Sequence, residues 1–450
     1  MDAHVRFDTQ IIGALPVITQ YFDRLGLAAI VDELVPWEGE VPLGTLVEVL
    51  IANRLLQPKA LFRTGAWAAK AGLTDYYGLT AEQLNDDRLG RALERLAEHA
   101  EVVQAGLVMK AIKVFKLDVS QIHYDITDVE LYGAYEREWA EGETPPVPMP
   151  AYGRTKSGRK NVKQIQAGLN VTSDGGVPVG HLPLDGNAAE TKTHIDNLRL
   201  LGRTLPKGKL LYIADTKLDT SENLLAVAAR KGHFLCGGAF HPHLQEEYLK
   251  LRRKMHKVDY FPQSQAHLPP QERDEYRAIE VPETIQGMVD GRTVRLKYRQ
   301  LFVWSEAKAR QEATTRDRHV AKIREEFEAV ERNLGKYSLK TEEAVIRRLE
   351  KAKAKYVEGE LFDYQLTKTR QGGFRLKWKL NAKALQRRKH LEGAYVLKTD
   401  LPKSTHPTAR VLGTYKQQSC VERRFHHLKG PLAIATMFLK NPKRIAGLLC

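Results

Sequence analysis

Near residue 120 the spacing of apolar residues changes period, and that change limits the folds open to this chain. Up to Phe115, Leu and Ala recur at helical spacing, as in PVITQYFDRLGLAAIVDEL and DDRLGRALERLAEHAEVVQAGLVMKAIKVF, with breaks at Pro36, Pro42 and Pro58. In QIHYDITDVELYGAY the period becomes two: Ile122, Tyr124 and Ile126 alternate with polar residues and set Asp125 on the opposite face. This order predicts a helical domain over residues 1–115 and a sheet-containing core after it.

The core pattern continues past a Pro-rich break at 145–150 and a basic loop, GRTKSGRK, at 153–160. In NVKQIQAGLNVTSDGGVPVGHLPL, Ile165, Ala167, Leu169 and Val171 alternate, SDGG supplies turn residues, and Val177 and Val179 resume the alternation, which predicts a hairpin. TKTHIDNLRLLGR predicts a helix, KLLYIAD a buried strand ending at Asp215, SENLLAVAARKG a helix capped by Ser221, and HFLCGGAF another strand. Three antiparallel strands followed by alternating helices and strands define an α/β (α+β) core with a mixed sheet over residues 116–240.

Residues 241–390 interrupt that alternation and read as a largely helical insertion. Val320, Ile323, Phe327, Val330 and Leu334 follow 3-4 spacing up to Gly335, and Val345, Leu349, Ala352 and Tyr356 repeat it, predicting a charged helical hairpin. FRLKWKLN and GAYVLKTD read as strands. Residues 391–450 return to the core and place TYKQQSCVERRFHHLKG on a helix.

Charge divides the chain unevenly. Residues 1–150 hold 13 basic and 23 acidic side chains, whereas residues 151–450 hold 57 and 32, so the later part is suited to a polyanion. No run of 18 uncharged apolar residues is present, and MDAHVRFDTQ lacks a secretory pattern, so the expectation is a cytoplasmic protein with no membrane segment. Cys236, Cys420 and Cys450 form no pair and read as plain thiols.

The last fifty residues contain nine Lys and Arg but a single carboxylate, Glu422. On one helix at 100° per residue, Tyr415, Gln418, Glu422 and Lys429 share a face, with Val421, Phe425 and Leu428 beside it to pack on a sheet. An isolated Glu among Arg and Lys is ordinarily a salt-bridge partner. Asp125 in mid-strand and Asp215 at a strand end are harder to explain, because strands disfavour Asp and open α/β sheets place their sites at strand ends. Two Asp and one Glu form a hard oxygen donor set suited to Mg²⁺ or Mn²⁺, and two such ions can assist in-line attack on a phosphodiester. Cys236, His241 and His243 lack a fourth ligand, Asp128 reads as a spare acidic residue, and a helix N-terminus accounts for Asp219 and Glu222.

These residues resemble a known family. Asp125 in HYDIT, Asp215 in YIADTKLDTSENL, and Tyr415, Glu422 and Lys429 in YKQQSCVERRFHHLK are similar to bacterial insertion-sequence transposases of the DDE type whose signature is Tyr-x2-Arg-x3-Glu-x6-Lys. The stretch from the basic loop through PLDGN, and the helical residues ~8–110, resemble the same group. The resemblance implies a ribonuclease-H-like core in which Asp125, Asp215 and Glu422 are catalytic and bind the metal, with an insertion before the Glu-bearing helix. It implies that Tyr415 and Lys429 grip end DNA, with Gln418 at the signature's Arg position and Arg423 and Arg424 as compensating cations. Its implied partners are double-stranded DNA with terminal inverted repeats and target DNA, engaged by a homodimer on paired ends and at the bacterial nucleoid. The end at AGLLC, within an amphipathic helical pattern, reads as a truncation. Two further functions stay open: a stand-alone ribonuclease-H-like nuclease that joins nothing, and an inactive DNA-binding remnant.

Overall fold

The computed structural model describes residues 9–450 except 134, 136–147, 154, 157, 160, 371 and 435–438, so parts of the Pro-rich break and the basic loop lie outside the described residues. The described N-terminal residues are helical, with helices including Leu15–Leu25, Leu27–Leu34, Leu43–Leu56, Asp86–Glu98 and Ala100–Phe115. Gly26, at φ 61°, turns the chain between the first two, a conformation that costs glycine little. Leu43–Leu56 is apolar nearly all round and forms the centre of this domain, with Leu43, Leu46, Val49 and Ala52 fully buried. Its one carboxylate, Glu48, accepts from the Tyr77 hydroxyl at 2.8 Å and the Ala28 N–H at 3.2 Å.

Beyond this domain the chain is mixed α/β. Its strands are β1 (Gln121–Leu131), β2 (Ala151–Tyr152), β3 (Lys163–Thr172), β4 (Pro178–Leu184), β5 (Leu211–Ala214), β6 (His233–Gly238), β7 (His256–Lys257), β8 (Tyr276–Val289), β9 (Arg292–Ser305), β10 (Phe362–Lys368), β11 (Phe374–Leu380) and β12 (Ala394–Thr399). One sheet runs β2-β3-β1-β5-β6-β12-β9-β8-β7, and β4 also pairs with β3. β1 is antiparallel to β3 and parallel to β5, β4 is antiparallel to β3, and β6 is parallel to β5. Helices Glu190–Thr204 and Ser221–Ala229 join these strands and cover one face, burying Ile122, Tyr124, Leu198, Leu201, Tyr212 and Leu224 together. A Cβ on Gly168 of β3 would stand 2.4 Å from the Tyr124 hydroxyl, so the strand must carry glycine there.

The expected strands and helices of residues 116–240 are present, with one change: Thr220 rather than Ser221 is the N-cap, its hydroxyl accepting from the Asn223 N–H. The insertion differs more. β8 and β9, fourteen residues each, form an antiparallel ribbon that extends the main sheet beyond β12. The largely helical expectation missed both strands; in β8, YRAIEVPETIQGMV carries Pro282 and Gly287, and most of its side chains are only half-buried or exposed, which blurs the alternation. The helical hairpin is found at Glu306–Arg332 and Glu342–Ala354. Ile323, Phe327, Val330, Val345, Leu349 and Ala352 bury against one another and against β10–β11, as their spacing implied.

The C-terminal segment also reaches back. Helix Pro442–Leu449 lies on Asp86–Glu98 of the N-terminal domain, where Arg444 pairs with Glu94 at 2.6 Å and Lys443 with Glu98 at 2.9 Å. A Cβ on Gly447 would come within 2.0 Å of the Leu93 carbonyl oxygen, so glycine permits this close approach. Among the described residues, no helix is long and apolar enough to cross a membrane.

Candidate active site

β1 and β5 pair in parallel with Gln121 beside Leu211, Ile122 beside Tyr212 and His123 beside Ile213. Continuing that register by two residues sets Asp125 beside Asp215, on neighbouring strands about 4.8 Å apart. β5 ends at Ala214, and Asp215 caps the single turn that follows by accepting from the Lys217 N–H at 2.9 Å. The two aspartates, ninety residues apart in sequence, are neighbours because the sheet runs β1 next to β5.

Glu422 arrives on the opposite face of the sheet from the two connecting helices. The expected single helix through Tyr415 and Glu422 is instead two, Thr408–Lys416 and Ser419–Lys429, joined at Gln417 and Gln418. At the joint the backbone bonds shorten to i+3 spacing, from Gln418 N–H to Tyr415 O and from Val421 N–H to Gln418 O. Val421 and Phe425 then bury against Leu169 and Val171 of β3. Gln418 is the bolt at the joint: its Nε2 donates to the Tyr124 carbonyl at 2.8 Å, and its Oε1 meets His123 Nδ1 at 2.9 Å. His123 is fully buried, and its Nε2 meets the Ser173 hydroxyl at 2.9 Å. The amide nitrogen is committed to a carbonyl, so Nδ1 carries the ring proton and Nε2 accepts from Ser173. Burial lowers the His123 pKa and keeps the ring neutral.

The carboxylates interact. Burial pushes Asp125 up to about 6, Lys156 opposes that rise, and Asp215 and Glu422 add to it. Asp215 is also raised, chiefly by burial and then by Glu190, while Lys156 and Lys217 pull it down. Glu422 is exposed, and among the described residues it makes no hydrogen bond and no ion pair, so the salt-bridge explanation for it does not apply. Asp125 and Asp215 also lack ion pairs among the described residues. Asp215 and Glu422 both raise the Asp125 pKa, and a hard divalent cation would offset that repulsion between like charges. As the side chains stand, no three His, Cys, Asp or Glu among the described residues are close enough to hold a metal ion.

The other expected site residues divide. Tyr415 sits beside the acidic cluster, and a Cβ on Gly237 of β6 would lie 2.8 Å from its hydroxyl. Arg423 is exposed and without an ion pair among the described residues. Arg424 instead clasps the β3–β4 turn, donating to the carbonyls of Gly175 and Gly176 at 2.7 Å each. Lys429 pairs with Asp128 at 3.4 Å, which makes Asp128 a buried tether for the Glu422 helix rather than a spare acid. Asp219 is bound by Lys398 at 2.8 Å and by the Ala239 N–H, not left to a helix N-terminus. His241 and His243 stack on each other, and Cys236 is buried.

Sequence reasoning missed four neighbours. A cavity of about 10 Å³, room for roughly one water, is lined by Asp125, Glu190, His194, Asp215 and Lys217. Glu190 opens its helix and pairs with Lys217 at 3.2 Å. Lys156 donates from Nζ to the Ile126 carbonyl at 2.7 Å and lowers both aspartates. Lys156 had a signal in the basic loop, but the other three had none, because only folding brings them to β1 and β5.

Fold and site together define a mixed α/β protein with an open acidic cluster beside the end of a parallel strand pair. The family described as a domain of unknown function (DUF4277), a domain found in transposase-like proteins, matches residues 7–108. No curated protein matches the chain.

Proposed function

We propose that this chain is a DNA transposase with a ribonuclease-H-like core, cutting at transposon ends and joining the freed 3′-hydroxyl to target DNA. The observation that carries this reading is that Asp215 and Glu422, from distant parts of the chain, both lie near enough to Asp125 to raise its pKa, and that none of the three is in an ion pair among the described residues. The order β4-β3-β1-β5-β6, with three antiparallel strands and then two parallel ones, supports the ribonuclease-H-like assignment. The N-terminal match supports the transposase setting.

In this reading Asp125, Asp215 and Glu422 would hold one or two Mg²⁺ or Mn²⁺ ions. When bound, these supply positive charge that favours a water or 3′-hydroxyl nucleophile and steadies the leaving oxygen of a phosphodiester. The chain's own residues do the rest. Lys156 adds a fixed cation at the edge of the carboxylates. Gln418 and the Lys429–Asp128 pair fix the Glu422 helix to β1. Arg423 is free to meet DNA phosphates. The substrate is double-stranded DNA with terminal inverted repeats, brought together by a homodimer.

Asp125→Asn, Asp215→Asn and Glu422→Gln proteins are expected to keep their fold and duplex affinity while losing all cleavage of end DNA. Added Mn²⁺ should raise the melting temperature of the wild-type protein and leave that of the triple variant unchanged. Cleavage retained by any single variant would remove that residue from the site. A wild-type protein that cuts but never joins pre-cleaved ends is the stand-alone nuclease instead.

A further inference from the structure

The β10–β11 ribbon carries charge that the acidic site does not use. Residues 362–391 contain nine Lys and Arg and one carboxylate, Asp363. The ribbon's inner face is apolar: Phe362, Leu366, Leu376, Trp378 and Leu380 pack on the helical hairpin. Its outer face is exposed and aligns Thr367 with Arg375, Gln365 with Lys377, and Asp363 with Lys379. Asp363 accepts from Asn381 at 3.2 Å, and none of Arg375, Lys377 and Lys379 is in an ion pair among the described residues.

Of the other cations in this stretch, Arg387 pairs with Glu246 at 2.6 Å, Arg388 with Glu358 at 3.3 Å and Lys368 with Glu342 at 3.5 Å, while Arg370, Lys383 and Lys389 join no ion pair among the described residues. What sets Arg375, Lys377 and Lys379 apart is their alternation along one strand, which makes them an exposed row with no ion pair among the described residues. A face needed only for solubility would mix charges of both signs. Alternate residues on a strand are about 7 Å apart, twice the roughly 3.4 Å axial spacing of phosphates along one strand of duplex DNA. Lys and Arg stems are long enough to adapt to that register, and the rigid apolar backing holds the row straight.

We propose that Arg375, Lys377 and Lys379 form a contact surface for the phosphate backbone of duplex DNA, separate from the acidic site and indifferent to base sequence. The proposal rests on duplex DNA being the substrate. It gives the insertion a role: gripping DNA away from the cut while the Glu422 helix works at it.

The test is fluorescence anisotropy of the full chain with a labelled duplex of arbitrary sequence, titrated over a range of salt. An Arg375→Gln, Lys377→Gln, Lys379→Gln protein should keep its melting temperature and show a log–log salt slope shallower by about 2 to 3, near 0.9 per lost phosphate contact. An Arg375→Lys, Lys377→Arg, Lys379→Arg protein should retain the wild-type slope. If the wild-type protein binds the duplex and the neutralised protein has the same slope, the ribbon proposal is overturned and the substrate reading stands. If the wild-type protein binds no duplex, both fall.

Discussion

The Gln418 joint allows a quantitative expectation. Gln418→Ala removes two hydrogen bonds at once and leaves the His123 Nδ1–H and the Tyr124 carbonyl without partners, one of them on a fully buried ring. An orphaned buried polar group costs about 1 to 3 kcal/mol, so the substitution should destabilise the protein by roughly 2 to 5 kcal/mol. Urea unfolding followed by far-UV circular dichroism measures this directly. His123→Ala in the same background tests the origin of the loss: if the two side chains work as one unit, the double variant should lose about 1 kcal/mol less than the sum of the singles. Function should follow position, because Glu422 lies one helical turn beyond Gln418. Gln418→Ala protein that remains folded should cut more slowly at unchanged duplex affinity. Gln418→Arg installs the Arg of the Tyr-x2-Arg-x3-Glu-x6-Lys pattern and should still destabilise, because it sets a permanent charge against a ring held neutral by burial. That loss should shrink when His123 is also changed to Ala. A cost below about 0.5 kcal/mol for Gln418→Ala, with additive singles, would refute the assignment of Gln418 as the bolt.

Two further expectations concern other buried groups. Arg316 and Glu392, with side chains 6% and 7% exposed, form an ion pair that ties the helical hairpin to the start of β12. Arg316→Met leaves Glu392 buried alone and should cost about 3 to 5 kcal/mol in chemical denaturation, largely recovered by adding Glu392→Leu; a loss under about 1 kcal/mol would contradict the burial of the pair. His194, 2% exposed, has its pKa lowered by burial from 6.5 to about 4. The unfolded chain takes up that proton first as pH falls, so the stability from His194 is full above pH 6.5 and is lost between pH 6.5 and 4. At pH 5 the loss is about 2 kcal/mol from this group. His194→Gln should flatten the pH dependence of the melting temperature in that window, and an unchanged profile would count against a neutral buried ring.

Periodicity was enough to separate the helical N-terminal residues from the sheet, because an amphipathic helix and a half-buried strand repeat apolar residues at different intervals. The same rule found the helical hairpin, whose spaced apolar residues do bury together. It missed β8 and β9; in β8, half-burial and an internal proline weaken the alternation. Asp125, Asp215 and Glu422 stood out as carboxylates in unfavourable or basic surroundings, so local chemistry marked them individually.

What the sequence alone determined is local: element types, the positions of three anomalous carboxylates, and a basic C-terminal two-thirds. Tertiary structure decided which charges are spent within the protein and which are free. Arg424, Lys429 and Gln418 look in sequence like residues waiting for DNA, yet the fold uses them on Gly175 and Gly176, Asp128, and His123 with Tyr124. Glu422 looks like a salt-bridge partner and has none among the described residues. The reason is geometric: a helix carries its side chains to whatever face the sheet offers, and strand order, which joins residues hundreds of positions apart, is not written in any local pattern.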